Sequence, residues 1–331
     1  MRKVLLILQV ILISFCLFSC SNKNYKQLKN NPTKQLSNYN YNLESSIADR
    51  MQSCPAHVLD YFSKIDERDN YNVYIPTKEE KTKFEKCLNL LPTEIIHLMD
   101  EKLIGIYFIE NFMGSALTDY VLDENNNMYN IMIINPNVLD YTISELLTEK
   151  ESTCFLNDPT VEIKVNVGNN LPGLLLMLLH EGFHICDYNN KLTPYVHRTI
   201  TLFDKDYQKP SKNIWTSEIW DRYYLIKKEY DFEQRQSITF YGLQGGPYID
   251  KSEAFQVYEN LSKTPFVSLY STLTWAEDAA EFFTFQYLKK YLNIDYSITV
   301  TTENRTETFE PLKFRKVKTR LYLMGGNVEL R

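Results

Sequence analysis

The stretch that decides the reading is Leu171-Pro172-Gly173-Leu174-Leu175-Leu176-Met177-Leu178-Leu179-His180-Glu181-Gly182-Phe183-His184-Ile185-Cys186-Asp187-Tyr188. Leu174 to Leu179 is apolar on every face a helix would present, so a helix over Leu171 to Tyr188 is expected to be buried. Asn169 and Asn170 can cap it, and Pro172 falls near the first turn, where a missing N–H costs nothing. Into this apolar run come His180, Glu181 and His184. Histidines four residues apart share one helix face, so two imidazole nitrogens can reach one ion at about 2.0–2.1 Å. Glu181 lies about 100° around from His180. There it can take a proton from water and pass it to a leaving group. Without a metal, two histidines and a carboxylate in a leucine-rich helix would leave polar groups to satisfy. One Zn2+ ion is therefore expected at His180 and His184, with Glu181 as general base.

The third ligand must come from elsewhere. A continuation HExxHxxGxxH is absent, because Asp187 and Asn190 occupy its last two fixed positions. A glutamate about twenty residues on is absent too; residues 200 to 208 offer Asp204 and Asp206 but no Glu. Much further on, a buried-looking helix is expected over Trp275 to Tyr291, carrying Glu277 and Glu281 one turn apart. Only one need face the ion; the other can hold a histidine's distal N–H. Asp187, one turn past His184, is either a support of this kind or a carboxylate of the helix end. His197 reads as a loop residue, and Glu218 and Glu253 as solvated.

The two motifs together resemble the long-spacer gluzincins, the family of the anthrax lethal factor catalytic domain and related bacterial lipoprotein peptidases. In that pattern HExxH is followed at a distance by Tyr, six residues, then Glu-x-x-Ala-Glu; here stand Tyr270, Glu277, Ala280 and Glu281. The segment between the motifs is longer than the lethal factor pattern implies. The resemblance implies Glu277 as the third zinc ligand, Glu281 as its supporting carboxylate and Tyr270 as the phenol that hydrogen-bonds the developing oxyanion. It implies a zinc metalloendopeptidase acting on a peptide or protein substrate. It also implies an α+β, zincin-like fold: a small twisted mixed sheet packed on the HExxH helix, with a further C-terminal helical part. An edge strand of that sheet would bind extended peptide by β-addition, and Val161 to Val167 is the expected edge. The alternative is a non-catalytic protein using zinc for structure or partner binding.

The N-terminus reads as an address. Met1-Arg2-Lys3 precedes an apolar run, Val4 to Phe18, too short for a membrane span and right for a signal peptide. Leu17-Phe18-Ser19-Cys20 resembles a bacterial lipobox, so residues 1–19 are expected to be removed and Cys20 lipidated. Residues 20–43 are dominated by Asn, Lys, Gln and Ser and are expected to be a flexible tether. The catalytic domain would then span 44–331, lipid-anchored to the outer membrane of a Gram-negative-type envelope. Cys54, Cys87, Cys154 and Cys186 remain, an even number that permits disulfides in an exported chain.

The rest is globular in kind. Of 331 residues, 44% are hydrophobic and 24% charged, enough apolar material for a sizeable core. Tyr at 24 and Phe at 18 are abundant and expected mainly in that core. The net charge of −6, with no basic stripe, argues against a nucleic-acid partner. Helices are expected over 44 to 68, broken or restarted at Pro55, and over Thr77 to Leu91 behind a Thr77–Glu80 cap. Leu103 to Phe112 reads as a strand. Ala116 to Leu122 and Met128 to Ile134 read as a hairpin around a turn-rich loop. Tyr296 to Thr302 and Phe314 to Leu323 read as a closing hairpin. Residues 200 to 265 carry no clear pattern.

Overall fold

The computed structural model describes residues 30–168, 170–194, 213–326 and 330. The expected signal peptide, Cys20, Asn169, Asp204, Asp206 and His197 lie outside them. The architecture is α+β, with small mixed sheets around a long buried helix.

Residues 44–68 do not form one helix. A 3-10 turn, Ile47–Arg50, leads into the short strand β1 (Met51–Gln52), and helix α1 (Ala56–Ile65) starts only after Pro55. Strand β2 (Asn72–Tyr74) follows. Helix α2 (Lys78–Leu88) has the expected capping box: Glu80 N donates to Thr77 Oγ1 at 3.3 Å and Thr77 N to Glu80 Oε2 at 2.7 Å. Helix α3 (Thr93–Lys102) runs directly into β3 (Leu103–Glu110).

The hairpin of β4 (Ala116–Leu122) and β5 (Met128–Ile134) forms as expected, Ala116 opposite Ile134 and Leu122 opposite Met128. Its loop is fixed by Asp123, which accepts from the backbone of Asn125 and Asn127. β5 pairs in parallel with β3, and β1 and β2 flank β3 on its other side. β4 is thus an edge of this five-stranded sheet. Both faces are buried, so β3 and β5 read as continuous apolar runs rather than alternating ones. Ile106, Phe108, Met132 and Ile134 join the main core, while Ile104, Ile109, Ile131 and Ile133 pack with Val58 and Phe62 of α1.

Residues 30–43, expected as tether, belong to that second layer. They form two 3-10 turns, Leu36 and Tyr39 are buried, and Lys34 pairs with Asp119 of β4. The correction has a simple cause: a few apolar anchors in a polar stretch suffice when a sheet face lies waiting for them.

Helix α4 (Ile143–Ser152) precedes β6 (Glu162–Val167) and the long helix α5 (Gly173–Asn190). α5 begins two residues later than expected, with Pro172 at its N-cap. The hairpin β7 (Trp220–Arg222) and β8 (Leu225–Ile226) and helix α6 (Ala254–Ser262) give form to part of 200–265. Helix α7 (Trp275–Leu292) leads to β9 (Tyr296–Thr301) and β10 (Thr306–Phe309), which with β6 make a three-stranded antiparallel sheet. Phe314 to Leu323 is not a strand: Arg315–Leu323 is helix α8, with Val317 and Arg320 buried at helical spacing. The closing hairpin is β9–β10. The four cysteines among the described residues, Cys54, Cys87, Cys154 and Cys186, are buried free thiols rather than disulfides. No described helix is long and apolar enough to cross a membrane.

Candidate metal centre

Every residue of α5 from Gly173 to Asp187 is buried, as the unbroken apolar run requires. α3 lies so close that a Cβ on Gly182 would stand 2.5 Å from Ile95 Cγ2. The glycine between Glu181 and His184 is what lets the two helices approach. On the side toward β4, Thr118 Oγ1 donates to the Glu181 carbonyl at 3.2 Å. α5 is therefore clamped on both sides of the motif.

The second contribution comes from the start of α7. Thr274 caps it, accepting from Glu277 N at 3.2 Å, so Glu277 and Glu281 stand one turn apart on the face toward α5. His180 Nε2 lies 3.0 Å from Glu277 Oε2 and 3.2 Å from His184 Nε2; His184 Nε2 lies 3.5 Å from Glu277 Oε2. Three atoms held about 2.0–2.1 Å from one ion in tetrahedral array would be separated by about 3.3 Å. The triangle has that size. Glu281 Oε1 lies 3.3 Å from His180 Nδ1. Lys150 and His180 hold this carboxyl down at about 2 against the pull of burial, so it is ionised and only accepts. In the neutral imidazole Nδ1 would then carry the proton, which leaves the Nε2 lone pair for a metal ion that displaces the second proton.

The electrostatics favour a cation there. Burial alone would lower the pKa of His180, but Glu277 and Glu281 raise it to about 10. Glu277 is held well below the usual carboxylate range; burial opposes this, and the two histidines outweigh it. A pocket that draws a proton this strongly also suits a metal ion, which competes for the same lone pairs. Two buried atoms of the motif, Glu181 Oε2 and His184 Nδ1, have no protein partner among the described residues. A water or substrate group can satisfy them. The residues present therefore fit one zinc ion held by His180, His184 and Glu277.

A cavity of about 270 Å³ opens beside His180 and Glu181, walled by Ala116 and Leu117 of β4, by Phe112, Met177 and Leu273, and by Lys150 and Tyr270. Tyr270 sits in a 3-10 turn just ahead of α7, its ring centroid 6.1 Å from that of His180. Burial raises its phenol well above the ordinary value, so it stays a hydrogen-bond donor. Asp187 turns away from the triangle: it accepts from Thr193 N at 2.6 Å and Thr193 Oγ1 at 2.8 Å, and burial raises it to about 6. Of the two roles open to it, the structure gives it the helix-end one. Glu218 and Glu253 are exposed, as expected. A larger groove of about 700 Å³ lies between the N-terminal arm and the β4–β5 loop. It contains none of these residues, and volume alone makes no site.

β6, expected to be a free edge, is not one. The outer side of β6 is closed by α4, because Ser144 Oγ bonds the N–H and C=O of Val167 and Thr148 Oγ1 those of Val165. The edge beside Glu181 is β4. One residue of the site escaped the motif reading altogether. Lys150 projects from α4 against Glu281 and Tyr270, and its helix register carried the signal. Ile143, Leu146, Leu147 and Lys150 share the buried face at helical spacing, so a lysine stands where an apolar residue belongs. Comparison with protein-family models, with curated proteins and with solved structures finds no match for this chain.

Proposed function

We propose that this protein is a zinc-dependent metallopeptidase of zincin-like fold, with His180, His184 and Glu277 as ligands. The observation that carries the reading is the triangle itself: three ligand atoms 3.0–3.5 Å apart, converging from two buried helices, with the free carboxylate oxygen of Glu181 in the same motif. A zinc ion on three protein ligands supplies Lewis acidity, polarising a carbonyl and lowering the pKa of water. The chain's residues supply the rest. Glu181 takes the proton of the attacking water on its free oxygen and delivers it to the leaving amine. Tyr270 donates its phenolic O–H to the oxygen that gains charge. Glu281 keeps the His180 tautomer correct. The β4 edge next to Glu181 receives an extended peptide by strand addition, its apolar side chains entering the cavity. Lipidation at Cys20 would hold the enzyme on the outer membrane of the cell envelope.

The test is metal analysis combined with cleavage of a diverse peptide library. The wild-type chain is expected to hold one zinc per molecule and to cleave. Glu181→Gln is expected to keep zinc and lose at least about 100-fold in rate. Equal cleavage by both proteins removes Glu181 from the mechanism. Zinc without cleavage in the wild type leaves the structural, non-catalytic alternative.

A further inference from the structure

We propose that Lys150 is a positioning residue for this centre, one cation that fixes both Glu281, and through it the ligand His180, and the ring of Tyr270. The proposal rests on the metallopeptidase reading above. Lys150 Nζ lies 3.2 Å from Glu281 Oε1, the same oxygen that meets His180 Nδ1 at 3.3 Å. The same Nζ stands 3.5 Å from the centroid of the Tyr270 ring and 5.8 Å from that of Phe240. A single ammonium thus touches the carboxylate behind the metal ligand and the face of the phenol.

Lys34, as deeply buried, also pairs with one carboxylate, Asp119, and lies 4.2 Å over the Tyr120 ring, but none of these three residues lines the cavity beside His180. The two buried arginines behave differently from both lysines. Arg50 donates to five backbone carbonyls, those of Leu43, Ser45, Met99, Asp100 and Leu103. Arg320 bonds the carbonyls of Pro265 and Trp215 as well as Asp278. Both hold chain segments together. Among the described residues the Lys150 ammonium has one hydrogen-bond acceptor, Glu281, and it faces the cavity shared with His180 and Glu181. An ammonium has three donors, and burying one beside a single carboxylate is a poor route to stability, since apolar residues of similar volume often do as well. What the charge adds is local. It donates to the same Glu281 oxygen that faces His180 Nδ1, and so fixes where that oxygen stands. It also holds the Tyr270 ring by its negative face and draws electron density from the phenol, strengthening the O–H as a donor.

The experiment measures zinc affinity by chelator competition, and peptide hydrolysis at saturating zinc, on the full mature chain. Lys150→Met is expected to bind zinc about 10–100-fold more weakly, the usual effect of losing an outer partner of a ligand. With zinc saturating, kcat is expected to fall while KM stays near the wild-type value, because Tyr270 acts on the transition state. Because Lys150 acts on His180 through Glu281, the double variant with Glu281→Gln is expected to bind zinc no more weakly than Glu281→Gln alone. Wild-type affinity and kcat in Lys150→Met, or additive losses in the double variant that track thermal stability, overturn the proposal. If Lys150→Met does not fold, Lys150→Arg carries the test. It keeps the pair with Glu281 but displaces the charge over Tyr270, so zinc affinity should hold within about threefold while kcat falls; an unchanged kcat overturns it. A wild-type chain that binds no zinc defeats the metallopeptidase reading itself. A wild type that binds and cleaves beside an indifferent Lys150→Met defeats this inference alone.

Discussion

Glu277 and Glu281 show how two like residues one turn apart are given different work. Glu277 is partly exposed at the mouth and meets both imidazoles; Glu281 is buried behind His180 and meets Lys150. Glu277→Ala is therefore expected to cost more zinc affinity than Glu281→Ala, whose loss should fall in the range of about 10–100-fold. A larger loss from Glu281→Ala in a zinc titration would reverse the assignment. Another buried carboxyl, Glu151, has no place in the chemistry. Burial raises it to about 7, and Tyr258 Oη donates to it at 2.6 Å. Its folded-state pKa lies above the unfolded value, so the native state binds the extra proton. Its contribution is favourable below about pH 4.5 and is lost as pH rises through about 7. Glu151→Gln is expected to match wild-type stability near pH 4 and exceed it by about 1–3 kcal/mol at pH 8, in urea unfolding followed across that range. A constant difference between the two proteins at all pH values would show that Glu151 does not titrate in this window.

At the scale of elements, the helix carrying the motif was legible in the sequence because its signal is local: an apolar run interrupted by His180, Glu181 and His184. The pairing of Glu277 and Glu281 on α7 was legible for the same reason. The closure of β6 was not. β6 alternates cleanly, as a half-exposed edge should, but its hydrogen-bonding side is taken by Ser144 and Thr148 from a helix whose approach no strand pattern records. α8 was misread through its mixture of Lys, Arg and apolar residues, although Val317, Arg320 and Leu321 stand at helical intervals. Compartment and count only permitted disulfides, and neither reports distance. Helix packing yields its own prediction. Gly182→Ala adds a methyl 2.5 Å from Ile95 Cγ2, so α5 must shift from α3 or Ile95 must move. Overpacking of this kind costs about 1–3 kcal/mol, against about 1 kcal/mol gained in helix propensity. The expected outcome is a lower Tm and weaker zinc binding, both relieved when Ile95→Ala is added; an unchanged Tm would mean that the helices slide apart freely.

On the scale of the whole molecule, the centre is assembled from segments far apart in the chain and locked by contacts outside it. Asp278, next to Glu277, turns away from the ligands to meet Trp220 Nε1 at 2.8 Å and Arg320 Nη1 at 2.7 Å. That joins α7 to the β7–β8 hairpin and to α8 and sets the roll of α7 about its axis. Such long-range closure has no signature in one sequence; it appears only as charged residues placed where apolar ones would be expected.

The pairing of Lys34 with Asp119 has a further consequence of reach. The ordered arm is fastened to β4 one residue from Thr118, which bonds the Glu181 carbonyl. If Cys20 carries the lipid, residues 21–29 separate it from Asn30, the first described residue. At about 3.5 Å per residue, no conformation of that stretch spans more than about 35 Å. A cleft held that near its lipid would work in a thin layer above the bilayer and leave distant soluble proteins untouched. Inserting a flexible Gly/Ser stretch of about 20 residues after Asn24 is expected to extend cleavage to targets displayed farther from the lipid, with kcat on free peptide unchanged. In reconstituted vesicles bearing substrates on spacers of graded length, a cutting radius indifferent to the insertion would sever the link between the mooring and the choice of target.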